Sequence, residues 1–103
     1  MRYIIKVRIP MERGNELLRD PKFGEKMANL LKELKAEEAY FGTIDGQRGG
    51  YIVLNIDDAS QIPALAEPLF LWLHADIETM PVMKIGDLQK AGPGIVAALQ
   101  NWG

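Results

Sequence analysis

At 103 residues the chain fits one domain (1–103) and is too short for two, and 48% hydrophobic with 25% charged residues is a globular rather than a disordered composition. Twelve basic and fourteen acidic side chains give a formal net charge of −2, so we expect no nucleic-acid partner. The absence of cysteine excludes disulfides, thiolate metal sites and cysteine nucleophiles.

The apolar segments are short. The longest run, residues 69–73, is far below the length that crosses a bilayer, so we expect no membrane partner. Charged side chains at Arg2, Lys6 and Arg8 interrupt the first ten positions, which is not the pattern of a signal peptide. These features, together with the lack of cysteine, predict a cytoplasmic protein.

Residues 3–9 alternate in polarity and predict the first strand, which Pro10 ends. Residues 11–19 are ambiguous and predict a loop with a helical turn. Asp20 then resembles a helix N-cap, with Pro21 at the first helical position. Apolar residues follow at helical spacing: Phe23, Met27, Leu30, Leu31 and Leu34.

Residues 39–44 and 51–56 predict an antiparallel hairpin with a turn at Asp45-Gly46. Gly49 and Gly50 are expected to extend this loop. The segment 45–50 lacks the Gly-Lys-Ser/Thr ending of a phosphate-binding loop, and it joins two strands, so we interpret it as a hairpin loop.

A second helix is predicted after N-cap candidates at residues 58–60, and Pro68 should kink or split it. Residues 77–83 predict a fourth strand, which Pro81 places at a sheet edge or bulge. A helical turn at 87–91 and, after a break at residues 92–94, a short helix at 95–102 complete the chain. Trp72 and Trp102 lie outside the main apolar stripes and are candidates for an interface.

This order predicts an α+β fold, a ferredoxin-like β-α-β-β-α-β arrangement with an antiparallel sheet and the helices on one face. The set expected to face the helices is Tyr3, Ile5, Val7, Ile9, Ile52, Leu54, Ile56 and Ile77. The other set is Ile4, Lys6, Arg8, Tyr51, Val53, Asn55, Glu78, Met80 and Val82. Because the second set mixes charged with apolar side chains, we expect a partner sheet to cover it around a polar pocket, and therefore a homodimer through the open sheet face.

The chain resembles a known superfamily in element order, length and mixed second face, and in the segments 57–60, 67–70 and 81–83. It is similar to the dimeric α+β barrels, and to a bacterial branch of them without an assigned reaction. The likeness covers residue 1 to about 95 and rests on structural rather than catalytic motifs. It implies a dimer with a central space. Members include monooxygenases, muconolactone isomerases and haem-degrading enzymes, but no catalytic residue transfers.

A few side chains could carry chemistry. His74, the only histidine, is a candidate general base oriented by Asp76, or a cation at a helix C-terminus. Arg8, Lys6 and Glu78 could bind a carboxylate ligand, or form ion pairs between subunits. Tyr51 and Tyr40 could flank such a ligand, or serve packing alone. We predict no metal site and no cofactor.

Two kinds of function therefore stay open. The first is a protein that binds a small anionic or aromatic metabolite between sheet and helices, with Arg8, Tyr51 and Tyr40 as ligand-binding residues. An enzyme of the monooxygenase or isomerase type would add His74 and Glu78 as catalytic candidates. The second is a non-catalytic interaction module.

Overall fold

The computed structural model describes all residues from Met1 to Gly103. Four strands, β1 (Arg2–Ile9), β2 (Glu38–Ile44), β3 (Gln47–Asn55) and β4 (Asp76–Pro81), form one sheet in the order β2-β3-β1-β4. Every neighbouring pair is antiparallel. The five helices are α1 (Met11–Leu18), α2 (Phe23–Glu33), α3 (Ile62–Leu73), α4 (Ile85–Lys90) and α5 (Gly92–Trp102). The chain is thus an α+β protein with an antiparallel sheet.

The core lies between the sheet and α1 to α3. Ile5, Val7 and Ile9 of β1, together with Ile52, Leu54 and Ile56, are all buried there. Tyr3 and Ile77 pack against this cluster while remaining partly exposed. The predicted helix-facing set of the sheet is confirmed, because period-two alternation has one physical solution once one face is covered. Leu69 and Leu73 of α3 supply the matching helix side.

The first crossover contains two helices where the sequence predicted one. Residues 11–18 form α1, and the predicted helix start at Asp20-Pro21 is wrong because those residues turn the chain between α1 and α2. The Asp20 carboxylate accepts a hydrogen bond from the Lys22 backbone amide at 2.9 Å and pairs with the Lys26 ammonium at 2.8 Å. The lysine bond holds the pKa of Asp20 below its usual range.

The second crossover begins at Asp58, which caps a short 3-10 turn at residues 59–61 before α3. α3 runs without interruption from Ile62 to Leu73, so the predicted split at Pro68 is wrong. Proline leaves the Ala64 carbonyl without its usual amide donor, but Ala64 is exposed and water can satisfy it. Trp72 is only partly exposed, and its ring lies 5.5 Å from that of Phe23.

The end of the chain departs from the expectation that every helix lies on the sheet. β4 is an edge strand, as Pro81 indicated. Residues 92–94 do not break the chain but form the first turn of α5, with Pro93 in a position that needs no amide donor. No residue of α4 or α5 is buried. None of the helices is long and apolar enough to cross a membrane.

Candidate functional site

The side of the sheet away from α1 to α3, here called the open face, is built from cross-strand rows. One row has three apolar side chains, with Ile4 of β1 opposite Val53 on one side and Met80 on the other, and Glu38 of β2 lies beyond Val53 at the sheet edge. The next row places Lys6 between Tyr51 and Glu78, and Tyr40 lies beyond Tyr51. The third row places Arg8 between Gly49 and Asp76. The open face therefore has a charged half near the end of β1. Its other half, here called the apolar half, is centred on Ile4, Val53 and Met80 and is bordered by Glu38 and by the Arg2–Glu37 ion pair.

The charged half is a network of opposite charges, which we call the charged cluster: Lys6, Arg8, Asp45 and Asp76. The Lys6 ammonium lies 2.9 Å from the Asp45 carboxylate. The Arg8 guanidinium lies 3.4 Å from Asp45 and 3.5 Å from Asp76. The Lys6 hydrogen bond lowers the pKa of Asp45, and the same bond raises the pKa of Lys6. The two cations are thus already compensated within the chain.

Asp45 reaches this cluster from the turn between β2 and β3. Asp45 and Gly46 have φ of 51° and 80°, as in a two-residue hairpin turn of the type that matches strand twist. The expectation that Gly49 and Gly50 extend the loop is wrong, because both belong to β3. A Cβ at Gly49 would overlap the Val7 carbonyl oxygen, and one at Gly50 would overlap the Tyr40 carbonyl oxygen. The glycines let the hairpin backbone approach its neighbours closely enough for Asp45 to meet Lys6.

The residues predicted to bind a ligand share the open face. Tyr51 and Tyr40 are cross-strand neighbours, Tyr40 being 60% exposed, and Lys6 separates Tyr51 from Glu78. Within the chain Arg8 pairs with Asp45 and Asp76 and not with Glu78. In an antiparallel sheet Arg8 lies opposite Asp76, whereas Glu78 lies opposite Lys6. A polar depression of about 360 Å³ lies beside this part of the sheet, lined by Lys6, Arg8, Phe70, Asp76, Ile77 and Glu78.

His74 does not join these residues. It is exposed and ends α3 in the left-handed region, with φ of 53°. Its backbone amide donates to the Phe70 carbonyl oxygen at 3.0 Å. The Asp76 carboxylate, which the sequence offered as a partner for the imidazole, pairs instead with Arg8. The position of His74 is thus the one expected of a helix-terminating residue.

A second cavity lies on the other side of the sheet, between α1, α2 and strands β1 to β3. It has a volume of about 480 Å³, and 12 of its 18 lining residues are hydrophobic. The remaining six are five glycines and one charged residue, Arg48. Arg8, Tyr51 and Tyr40 do not line it. A ligand held between sheet and helices would therefore meet other residues than those named from the sequence.

Arg48 lies at this helix-side cavity without an acidic partner. Its guanidinium donates to the Asn15 side-chain oxygen at 3.0 Å and forms none of the ion pairs of the protein. Its side chain lies against Gly14 of α1, where a Cβ would meet the guanidinium nitrogen Nη1 at 2.7 Å and the stem carbon Cδ at 3.2 Å. Alternation along β3 places Arg48 on the helix side of the sheet. Residues 45–50 were predicted to form a loop, so this alternation was not applied to Arg48.

Phe41, the aromatic side chain next to Tyr40, also lines the helix-side cavity and is 63% exposed. Adjacent residues of a strand point to opposite faces, so Tyr40 and Phe41 serve different surfaces. Leu17 and Leu18 line the cavity from α1, a segment for which the sequence predicted a loop with a helical turn. The indication of this cavity in the sequence was an aromatic residue, Phe41, in the strand next to the glycine-containing strand β3.

Comparison with known proteins adds no relationship: no family model matches the chain, and no curated protein matches it. The function has to be argued from these two sites.

Proposed function

We propose that this protein binds a small, largely apolar or aromatic molecule in the helix-side cavity and holds an anionic group of that molecule with Arg48. The observation that carries the proposal is the lining itself, which is apolar except for a single arginine. Cavities of about 300–1,000 Å³ with a few polar groups are typical of small-molecule sites. A guanidinium is suited to a carboxylate because it can donate two parallel hydrogen bonds.

The contrast with Arg8 supports the choice of Arg48. Asp45 and Asp76 already lie within ion-pair distance of Arg8, so an added carboxylate would have to displace them. Within the chain Arg48 donates only to the neutral side-chain oxygen of Asn15 and is otherwise exposed, so it can take a charged acceptor in place of that oxygen. The lining holds no carboxylate or imidazole that could transfer a proton, and this favours binding over acid–base chemistry in this cavity.

The test is calorimetric titration with 1-naphthoate and its neutral counterpart 1-naphthalenemethanol. Arg48→Met should weaken naphthoate binding at least about tenfold and leave the alcohol unchanged. Ala28→Trp, which places a large side chain at the cavity, should abolish binding of both compounds. Arg8→Met, on the opposite face, is the matched control and should leave both affinities unchanged. Naphthoate affinity that is insensitive to Arg48→Met and Ala28→Trp would refute the proposal.

A second candidate is a site for an anionic or aromatic molecule at the polar depression, with Arg8, Tyr51 and Tyr40 as its ligand-binding residues. The depression of about 360 Å³ beside Arg8 supports it. An enzyme of the monooxygenase or isomerase type would use this place, since carboxylates and cations lie together there. In the same titration, loss of naphthoate binding in Arg8→Met but not in Arg48→Met would favour this candidate.

We further propose that the fold is a ferredoxin-like variant that forms a homodimer through the open face, as the dimeric α+β barrels do. The apolar half of the open face supports this, because Ile4 and Val53 are only partly covered and Met80 is 38% exposed. An interaction module of this kind needs no ligand. Cytoplasmic localisation remains part of the proposal, and the cysteine-free composition supports it.

A further inference from the structure

The last 21 residues, 83–103, project from the rest of the molecule, and we call them the C-terminal arm. The molecule measures 58 × 27 × 21 Å, and its radius of gyration is 17.2 Å. A compact chain of this length would have a radius of about 13 Å. Both helices of the arm are without a buried residue, so the arm accounts for the elongated shape.

The arm carries apolar side chains that nothing covers. In α5 the residues Ile95, Leu99 and Trp102 recur at spacings of four and three, which places them on one side of the helix. Their exposed fractions are 47%, 65% and 90%. Residues 92–103 contain no charged side chain. A protruding helix of this kind leaves its apolar side chains exposed to water, and exposed apolar surfaces mark interaction sites.

The uncovered sheet surface that matches the arm is the apolar half of the open face. The arm leaves β4 at this end of the sheet, where the Val82 amide donates to the Arg2 carbonyl oxygen at 3.0 Å. The row of Ile4, Val53 and Met80 lies next to that point. The opposite half of the face carries the charged cluster, whose desolvation by an uncharged helix would be unfavourable. The row of Ile4, Val53 and Met80, which Glu38 and the Arg2–Glu37 ion pair border, is therefore the part of the open face that an uncharged helix could cover.

We propose that the C-terminal arm of one copy packs along the apolar half of the open face of a second copy, with Leu99 and Trp102 facing the row of Ile4 and Val53. The proposal rests on the homodimer proposed above and names a contact in it. A second copy is the indicated occupant because the arm buries no residue against its own chain in this elongated molecule, and because the two apolar surfaces belong to the same chain. A two-fold arrangement would cover both arms and both faces at once.

Cysteine cross-linking tests this contact directly, since the chain has no cysteine of its own. Full-length Leu99→Cys and Val53→Cys are mixed under mild oxidation, and the disulfide-linked heterodimer is quantified by mass spectrometry. We expect this heterodimer in at least tenfold excess over that formed by Leu99→Cys with Glu67→Cys, since Glu67 is exposed on α3 behind the sheet. Equal yields from the two mixtures would overturn the proposal.

A charge substitution provides a second readout. Leu99→Asp should weaken self-association at least about tenfold in sedimentation, whereas Ala97→Asp, on the other side of α5, should leave it unchanged. A parent dimer with no Leu99–Val53 cross-link and no effect of Leu99→Asp would refute the arm contact and leave the dimer intact. A monomeric parent would refute both. An intramolecular cross-link in the Val53→Cys/Leu99→Cys double variant at high dilution would show that the arm closes on its own sheet and would equally overturn the proposal.

Discussion

The Lys6 ammonium lies 2.9 Å from the carboxylate of Asp45, although Lys6 belongs to β1 and Asp45 to the turn between β2 and β3. The contact links the hairpin turn to β1 on the open face, although β3 lies between β2 and β1 in the sheet. It ties the end of β2, which is an edge strand, to the strand next to the other edge. Most of the charged cluster depends on where this one carboxylate is placed.

The pH dependence of stability should show this contact. Because the pKa of Asp45 is lowered in the folded protein, its carboxylate stabilises the fold above the unfolded-state pKa of about 4. This stabilisation is lost as the pH falls through the folded-state pKa. The raised pKa of Lys6 means that its contribution is present below about 10.4 and is lost as the pH rises through the folded pKa. Asp45→Asn should therefore lower the melting temperature at neutral pH, and the difference from the parent should close in acid and in alkali. Glu67→Gln, at an exposed position without an ion pair, is the control, and a constant difference between pH 3 and pH 7 would contradict the assignment.

Gly49 should be the least replaceable glycine of the sheet. Gly49→Ala brings a methyl group against the Val7 carbonyl, and overpacking of this kind costs about 1–3 kcal/mol. Its cross-strand neighbour Gly42 has open space around it, so Gly42→Ala should change the free energy of unfolding by less than about 0.5 kcal/mol. Chemical denaturation of both variants measures the difference. Equal destabilisation by the two changes would mean that the hairpin is not held as described.

His74 should behave as a helix-terminating residue. Its φ of 53° is unfavourable for a side chain with a Cβ, and glycine is the residue that most often takes this position. His74→Gly should therefore raise the free energy of unfolding by up to about 1 kcal/mol, whereas His74→Val should lower it by at least as much. Thermal unfolding of the two variants provides the measurement. Destabilisation by His74→Gly would show that the imidazole makes a contact that matters more than the backbone conformation.

Arg8 should be coupled to Asp45 and Asp76 rather than to Glu78. In double-mutant cycles, the losses caused by Arg8→Ala and Asp45→Ala should add to more than the loss in the double variant, since each removes the same ion pair. The cycle of Arg8→Ala with Glu78→Ala should be close to additive. A coupling energy between Arg8 and Glu78 as large as that between Arg8 and Asp45 would contradict this prediction.

Association through the open face is tested by charge insertion into its apolar half. Val53→Asp or Ile4→Asp should weaken a homodimer at least about tenfold, because a carboxylate would lose its hydration at the interface. Leu71→Asp is the matched control, since Leu71 is 74% exposed on α3. Sedimentation at several concentrations measures the dissociation constants. Dimers of undiminished strength in both open-face variants would place the interface elsewhere.

Sequence patterns predicted one part of the candidate sites and not another. Alternation along β1 was enough to place Arg8 and Lys6 on the open face, because a strand has only two faces. It could not say that Arg8 pairs with Asp45 and Asp76, since strand register and the bend of a hairpin depend on contacts between distant segments. The sequence did not predict the helix-side cavity for a similar reason. Gly49 and Gly50 have turn-forming composition, and only their pairing with β1 and β2 keeps them in a strand.

Local sequence patterns were enough to predict the α+β class, the four strands along the chain, the helix-facing residues from Tyr3 to Ile77, and an edge or bulge at Pro81. These follow from local periodicity and from proline's missing amide donor, which act within a few residues. The three-dimensional contacts were needed to show that α3 continues through Pro68, that Asp76 pairs with Arg8, and that Arg48 lines an apolar cavity. Those outcomes depend on packing between segments tens of residues apart, where burial outweighs local preference.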